Sequence, residues 1–252
     1  MQFEGVCWYS DRLEKDMNVR VYGTGGTPIL AFPTQDAMCD NFESFGMVDA
    51  LAPELMNQKI QLFTVDSVDS ESWSDAGGDP VYRINRQEAY YNYIIEEVIP
   101  LIRNKNKSRA RPIAVGCALG GLHATLCVLR RPELFSGLIS LSGMYDAKFF
   151  FNGWLNGTAY DNSPVDFLSH MPKDHEYINK YNNLRMALCV GRGRWEEEGL
   201  RTLQILDELF HQLGVNAWTD YWGFDVDHDS HWWKMQIRYF LPYVLGERKR
   251  YD

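Results

Sequence analysis

The chain has 252 residues, 45% hydrophobic and 23% charged, enough apolar material to bury one sizeable core, with no repeat or low-complexity tract. Its formal net charge of −9 argues against a nucleic-acid-binding surface, and the basic Arg248-Lys249-Arg250 tail is too short to reverse that. No run reaches the roughly eighteen apolar residues of a membrane helix, and the Met-Gln-Phe-Glu-Gly start has neither the basic nor the apolar part of a signal peptide, so neither a nucleic-acid nor a membrane partner is expected and the expected location is cytoplasmic.

In chain order, segments 3–9 and 17–22 flank a polar turn, and the second alternates as a half-buried strand does, so the pair reads as an opening antiparallel hairpin. The wholly apolar 28–32 is a buried strand, followed by a loop over 33–40 and a helix over 41–56. Segment 60–65 is the next strand and runs into the polar loop 66–73, at the strand end where ligands gather in a parallel sheet. A helix is expected over 86–103, where Tyr90, Ile94, Ile95, Val98 and Ile102 recur at helical spacing. Strands follow at 113–115, 138–142, 186–190 and 217–222, and helices follow the first and third of these, the latter over 197–213, with a closing helix to about Leu245. Strand and helix alternate, and the interior strands are apolar throughout. The expected fold is therefore α/β, a single domain over 1–252 with a mostly parallel, doubly wound sheet covered on both faces. The aromatic-rich stretch 143–183 is too long for an idle connection and is expected to act as a cap over the site.

The chemistry concentrates at Gly116-Cys117-Ala118-Leu119-Gly120-Gly121, between the strand at 113–115 and the helix that begins beyond it. Glycine on both sides of a turn allows a strand to pass directly into a helix, as in the Gly-x-Ser-x-Gly nucleophile elbow. Here alanine stands at the elbow position, Ala118, and a methyl group has no lone pair with which to attack a carbonyl. Acyl transfer through a serine also needs a histidine base, a carboxylate to orient it and two N–H donors for the oxyanion. The order along the chain is nucleophile, acid, histidine. His228 and His231, in the loop after the last strand, compete as base. Glu196 and Glu197, after the strand at 186–190, compete with Asp225 and Asp227 as acid; the glutamates hold the expected post-strand position, and Glu196 is preferred over Glu197. The oxyanion donors are expected to be the N–H groups of Leu119 and Gln35. Trp73, Phe150, Trp154 and Trp232 are the candidate substrate contacts.

The five cysteines have no metal-type spacing and read as buried free thiols; Cys117, beside the elbow position, is the one to weigh as a substitute nucleophile, although the residue before the elbow points away from the oxyanion site.

Gly116-Cys-Ala-Leu-Gly-Gly121, Pro132-Glu-Leu-Phe135 with Ser142-Gly143, Asn162-Ser-Pro164 and His228-Asp-Ser-His-Trp-Trp233 together resemble the esterase D-like branch of the α/β-hydrolases, over nearly the whole chain. The resemblance implies an α/β-hydrolase fold, a serine carboxylesterase acting on a small-molecule ester through an acyl-enzyme, and no metal or organic cofactor. In those relatives a histidine precedes a tryptophan by five residues, which selects His228, paired with Trp233, over His231. The departure is Ala118, where the family has serine. It implies either an esterase inactivated by a serine-to-alanine change or a natural pseudoenzyme that binds a small molecule; acyl and alcohol specificity and oligomeric state, a homo-oligomer included, are left open.

Overall fold

The computed structural model describes residues 1–250. Eight strands, β1 (Glu4–Ser10), β2 (Lys15–Tyr22), β3 (Thr27–Phe32), β4 (Ile60–Val65), β5 (Ile113–Cys117), β6 (Gly137–Leu141), β7 (Arg185–Val190) and β8 (Trp218–Tyr221), form one sheet. Their spatial order is β1-β2-β4-β3-β5-β6-β7-β8. β2 pairs antiparallel with both β1 and β4, and every other neighbouring pair is parallel. Parallel neighbours cannot be joined by a tight turn, so the chain crosses back through helices.

Those helices make two cores, one per face, and the strand alternation sorts side chains between them. Leu30, Phe32, Ala114, Leu138, Leu188 and Val190 belong to the larger core. Their neighbours Ile29, Ala31, Val115, Ile139 and Cys189 belong to the other, with Trp233, Ile237 and Phe240 of the helix Ser230–Val244. A sheet buried on both faces explains why its inner strands read as unbroken apolar runs.

Two stretches depart from expectation. The helix expected over 41–56 is three short ones, Asn41–Ser44, Met47–Ala50 and Ala52–Met56. Gly46 takes φ 73° ahead of the second, and Pro53 is tolerated only within a first turn, so a new helix starts there. The helix expected over 86–103 instead begins at Pro80, where the Asp79 carboxylate accepts the Tyr82 N–H at 2.8 Å, and continues to Asn106. It widens to a π turn over Ile94–Val98, two residues ahead of Pro100, which has no N–H and would crowd the carbonyl four residues back in a regular helix. The stretch 143–183 holds helices Ala147–Phe150, Gly157–Asp161, Pro164–Ser169 and Glu176–Asn182. Tyr145, Phe151, Leu168 and Tyr181 sink into the larger core. Glu88 ties it down further, accepting from Asn162 at 2.8 Å and from Arg130 at 2.7 and 2.9 Å.

Two glycines set how closely β5 and its helix approach. A Cβ on Gly116 would lie 2.0 Å from the Gly120 carbonyl oxygen, and one on Gly120 would lie 2.4 Å from that of Pro33. Both obstacles are backbone and cannot swing aside. Gly116→Ala is expected to destabilise the fold by about 1–3 kcal/mol, lowering the thermal midpoint by roughly 2–4 °C per kcal/mol for a chain of this size. Gly77→Ala, where nothing lies within 4 Å, is expected to leave the melt nearly unchanged.

Candidate active site

The turn from β5 into the helix Leu119–Arg130 passes through Ala118 at φ 53°, ψ −125°. An alanine there is strained, by roughly 1–3 kcal/mol, and its methyl makes no hydrogen bond in return. The strain is held in place from below, because the N–H of Ala118, one step beyond the end of β5, donates to the carbonyl of Leu141, the last residue of β6, at 2.9 Å. The same staircase continues across the sheet: Ser142 N–H donates to Cys189 O at 2.7 Å, and Trp222 N–H to Val190 O at 2.9 Å. The ends of β5, β6, β7 and β8 are thereby registered to one another, and each carries part of the site.

Beyond β7 the chain turns at Trp195, which takes φ 63° and leaves its ring 74% exposed. That turn sends Glu196 inward, to 1% exposure. One carboxylate oxygen of Glu196 accepts the Ser142 hydroxyl at 2.6 Å and the Gly191 N–H at 3.3 Å. The other lies 3.0 Å from His228 Nδ1. An ionised carboxylate only accepts, so Nδ1–H is the donor, and in the neutral imidazole Nε2 then carries the lone pair, the tautomer a base requires. The Trp233 indole N–H donates to Ser142 Oγ at 3.0 Å, and its ring meets the His228 ring edge-on at 5.1 Å. Ala118 and Trp233 share the same apolar core.

The other candidates are not placed with this pair. Glu197, Asp225 and His231 are exposed. Asp227 faces Arg194, whose guanidinium donates to it at 2.9 and 2.6 Å and whose backbone N–H donates at 2.8 Å. These hydrogen bonds hold the Asp227 carboxyl below the usual carboxylate range. The clamp joins the Glu196 loop to the His228 loop, alongside Gly193 N–H to Val226 O at 2.9 Å and His228 N–H to Arg194 O at 3.1 Å.

The N–H of Leu119 opens its helix and has no partner among the described residues, as the first turn of a helix dictates. Gln35, exposed in the loop after β3, also has an N–H with no partner among the described residues, whereas those of its neighbours are used: Thr34 donates to Asn41 Oδ1 at 3.0 Å and Asp36 to Asp69 Oδ2 at 3.3 Å. Pro33 O and Phe32 O flank Gly120, so the loop starts directly against the elbow helix.

Of the aromatic candidates, Phe150, Trp154 and Trp232 are half-buried. Trp73 is corrected: at 1% exposure it is a core residue, its N–H donated to Gln87 at 2.8 Å and its ring packed on Phe150 and Phe151. Cys117 is sealed at 1% exposure, and burial pushes its thiol far above the ordinary range, which removes it as a substitute nucleophile. Ser142, the link between Trp233 and Glu196, went unassigned in the sequence, although a serine closing an apolar strand beside the elbow was a usable signal. Among the described residues no group of three or more His, Cys, Asp or Glu is arranged to hold a metal, and no helix is long and apolar enough to cross a membrane. A cavity of about 430 Å³ lies along β1 and β2, lined by Phe3, Asn18, Arg20 and Cys39, away from the elbow.

A profile of the family Esterase, described as "Putative esterase", matches residues 10–242. Solved structures of similar shape include a ferulic acid esterase (TM-score 0.76, 14% identity, 97% of this chain and 98% of that one). Others are the S-formylglutathione hydrolase of Staphylococcus aureus (0.70, 12%, 97% and 96%) and that of Agrobacterium tumefaciens (0.73, 15%, 96% and 94%). At these identities the likeness is one of fold, the α/β-hydrolase fold. None of the curated protein sequences compared with the chain matches it.

Two outcomes are expected from the buried groups. Glu196→Ala orphans the Ser142 hydroxyl, the Gly191 N–H and His228 Nδ1 together and should cost about 3 kcal/mol in urea unfolding, whereas Glu197→Ala should stay within about 0.5 kcal/mol. Of the five thiols only Cys7 is exposed, so native protein should titrate rapidly for one thiol with Ellman's reagent, and for the remainder only on unfolding.

Proposed function

The chain belongs to the Esterase family, and from that premise we propose that its site is built to hydrolyse small-molecule carboxylic esters through an acyl-enzyme and is disarmed at position 118. The single observation that carries the reading is the pairing of buried Glu196 with half-buried His228 at 3.0 Å, at the same end of the parallel strands as an alanine held at φ 53°. Neither the strain nor the buried charge improves packing, and both are what a serine nucleophile at that turn requires.

With Ala118→Ser, the hydroxyl attacks the ester carbonyl while His228 Nε2 takes its proton. Glu196 holds Nδ1–H and stabilises the imidazolium. The N–H groups of Leu119 and Gln35 receive the oxyanion, and His228 then returns the proton to the leaving alcohol. Water repeats the sequence on the acyl-enzyme, again with His228 as base. With alanine the first bond cannot form, while ester binding, base and acid remain. No step calls on a metal or an organic cofactor. The chain acts in this account as one domain, and the stretch 143–183, with Phe149 at 52% exposure beside half-buried Phe150 and Trp154, supplies a cap that favours an apolar or aryl acyl group.

The other reading is a natural pseudoenzyme that keeps the pocket to bind a ligand. The retained acid, base and strained turn favour a serine-to-alanine inactivation. The encoding gene separates the two: a serine codon at 118 means inactivation, an alanine codon a natural pseudoenzyme.

The activity test compares hydrolysis of short p-nitrophenyl esters by the chain and by Ala118→Ser. Saturable turnover is expected only with serine. In that background His228→Ala should lower kcat by about 1,000-fold or more, and His231→Ala should change it by less than about threefold. The reverse pattern would assign the base to His231 and overturn the site as described.

A further inference from the structure

Resting on the ester-hydrolase reading, we propose that Asp69, held by His123, is the positioning residue of the oxyanion loop, locking the Gln35 N–H in register with the elbow helix. Neither residue touches the reacting atoms. Asp69 is fully buried and His123 is 2% exposed, and their side chains meet at 2.8 Å between Oδ1 and Nε2. The carboxylate can only accept, so Nε2–H is the donor. Oδ2 of Asp69 then accepts the Asp36 N–H at 3.3 Å.

That last bond gives the pair its consequence. Gln35 lies between two anchored amides, Thr34 on Asn41 and Asp36 on Asp69, and its own N–H has no partner among the described residues. Asp36 takes φ 59°, a left-handed turn that aspartate adopts more readily than most non-glycine residues. Asp69 fixes the N–H of that turn. The far side of the loop is pinned separately, Cys39 N–H on Asp66 Oδ1 at 3.0 Å and the Ser67 hydroxyl on Ala37 O at 2.9 Å.

His123 connects this anchor to the elbow. It lies on the helix Leu119–Arg130, and its ring is stacked on Phe32 at 5.9 Å and meets Tyr90 edge-on at 5.0 Å, so it cannot swivel. The Leu119 N–H rides on that same helix. Asp69 therefore couples the loop donor to the helix donor through one rigid segment, which an oxyanion hole requires because its donors must already be aimed before charge develops. A pair serving stability alone would be replaceable by apolar side chains at little cost, since burying a charge is expensive.

The test uses Ala118→Ser as background. Asp69→Leu with His123→Phe removes both partners, so no buried polar side chain is orphaned, and it keeps an aromatic ring between Phe32 and Tyr90. The expected result is a fall in kcat of roughly 10- to 100-fold, less than deletion of a donor outright, with KM changed by less than about threefold. Asp69→Asn keeps one acceptor oxygen for the Asp36 N–H, its NH2 donating to His123 Nε2 in the Nδ1–H tautomer, and should recover kcat to within about fivefold. A double variant with unchanged kcat, or with a change confined to KM, overturns the proposal. A second measurement needs no activity. In the chain with Ala118, amide exchange at Asp36 followed by NMR should quicken at least about tenfold in the double variant and not in Asp69→Asn. Unaltered exchange overturns the anchor. If Ala118→Ser alone shows no turnover, the ester-hydrolase reading fails, and the exchange measurement still decides whether Asp69 holds the loop.

Discussion

A carboxylate buried to 1% exposure is tolerable only when its lone pairs are occupied, and Glu196 meets that condition with groups drawn from separate strand ends. Ser142 arrives from the end of β6, Gly191 from the end of β7, and His228 from beyond β8. Misplacing any of these loops would leave a desolvated charge short of a partner. The electrostatic requirement of one side chain thus dictates the relative placement of three loops, and Trp233, donating to Ser142 from the closing helix, extends it to the outer layer.

The sheet makes that convergence affordable in strain. Hydrogen bonds continue past the strand ends at Ala118, Ser142 and Trp222, so the loops leave the sheet already in register. Ala118, Ser142 and Trp195 all take positive φ, and all stand at the exits of β5, β6 and β7. Other turns, at Glu14, Gln58, Lys107 and Asn152, also take positive φ, but these three stand where the polar groups converge, as backbone strain in a preorganised site does.

Much of this was legible in the residues. The apolar strands and their alternation with helices followed from burial on both faces of a parallel sheet, and the glycines around Ala118 followed from the close approach of strand and helix. Position after a strand pointed to Glu196, which the structure sets against His228. What escaped the sequence depends on tertiary contact. The break at Gly46 and the π turn before Pro100 lie inside stretches whose hydrophobic period reads as continuous helix. Trp73 looked like a binding aromatic on a ligand-facing loop, yet its indole finds a buried glutamine fourteen residues on. Asp69 and His123 are 54 positions apart, and no spacing rule connects them. Asp227 had the type and location of a triad acid; only the three-way contact with Arg194 shows that it serves to join two loops.

The central claim is that everything the reaction needs except the attacking oxygen is already assembled around residue 118. Reaction with an alkyl fluorophosphonate, followed by intact-protein and peptide mass spectrometry, tests it most directly, because phosphonylation requires a base and an oxyanion site but no particular acyl group. The account predicts one phosphonyl group per chain in Ala118→Ser, mapped to position 118 and lost on adding His228→Ala, with no label on the chain carrying Ala118. A serine at 118 that stays unlabelled in a folded protein would contradict it.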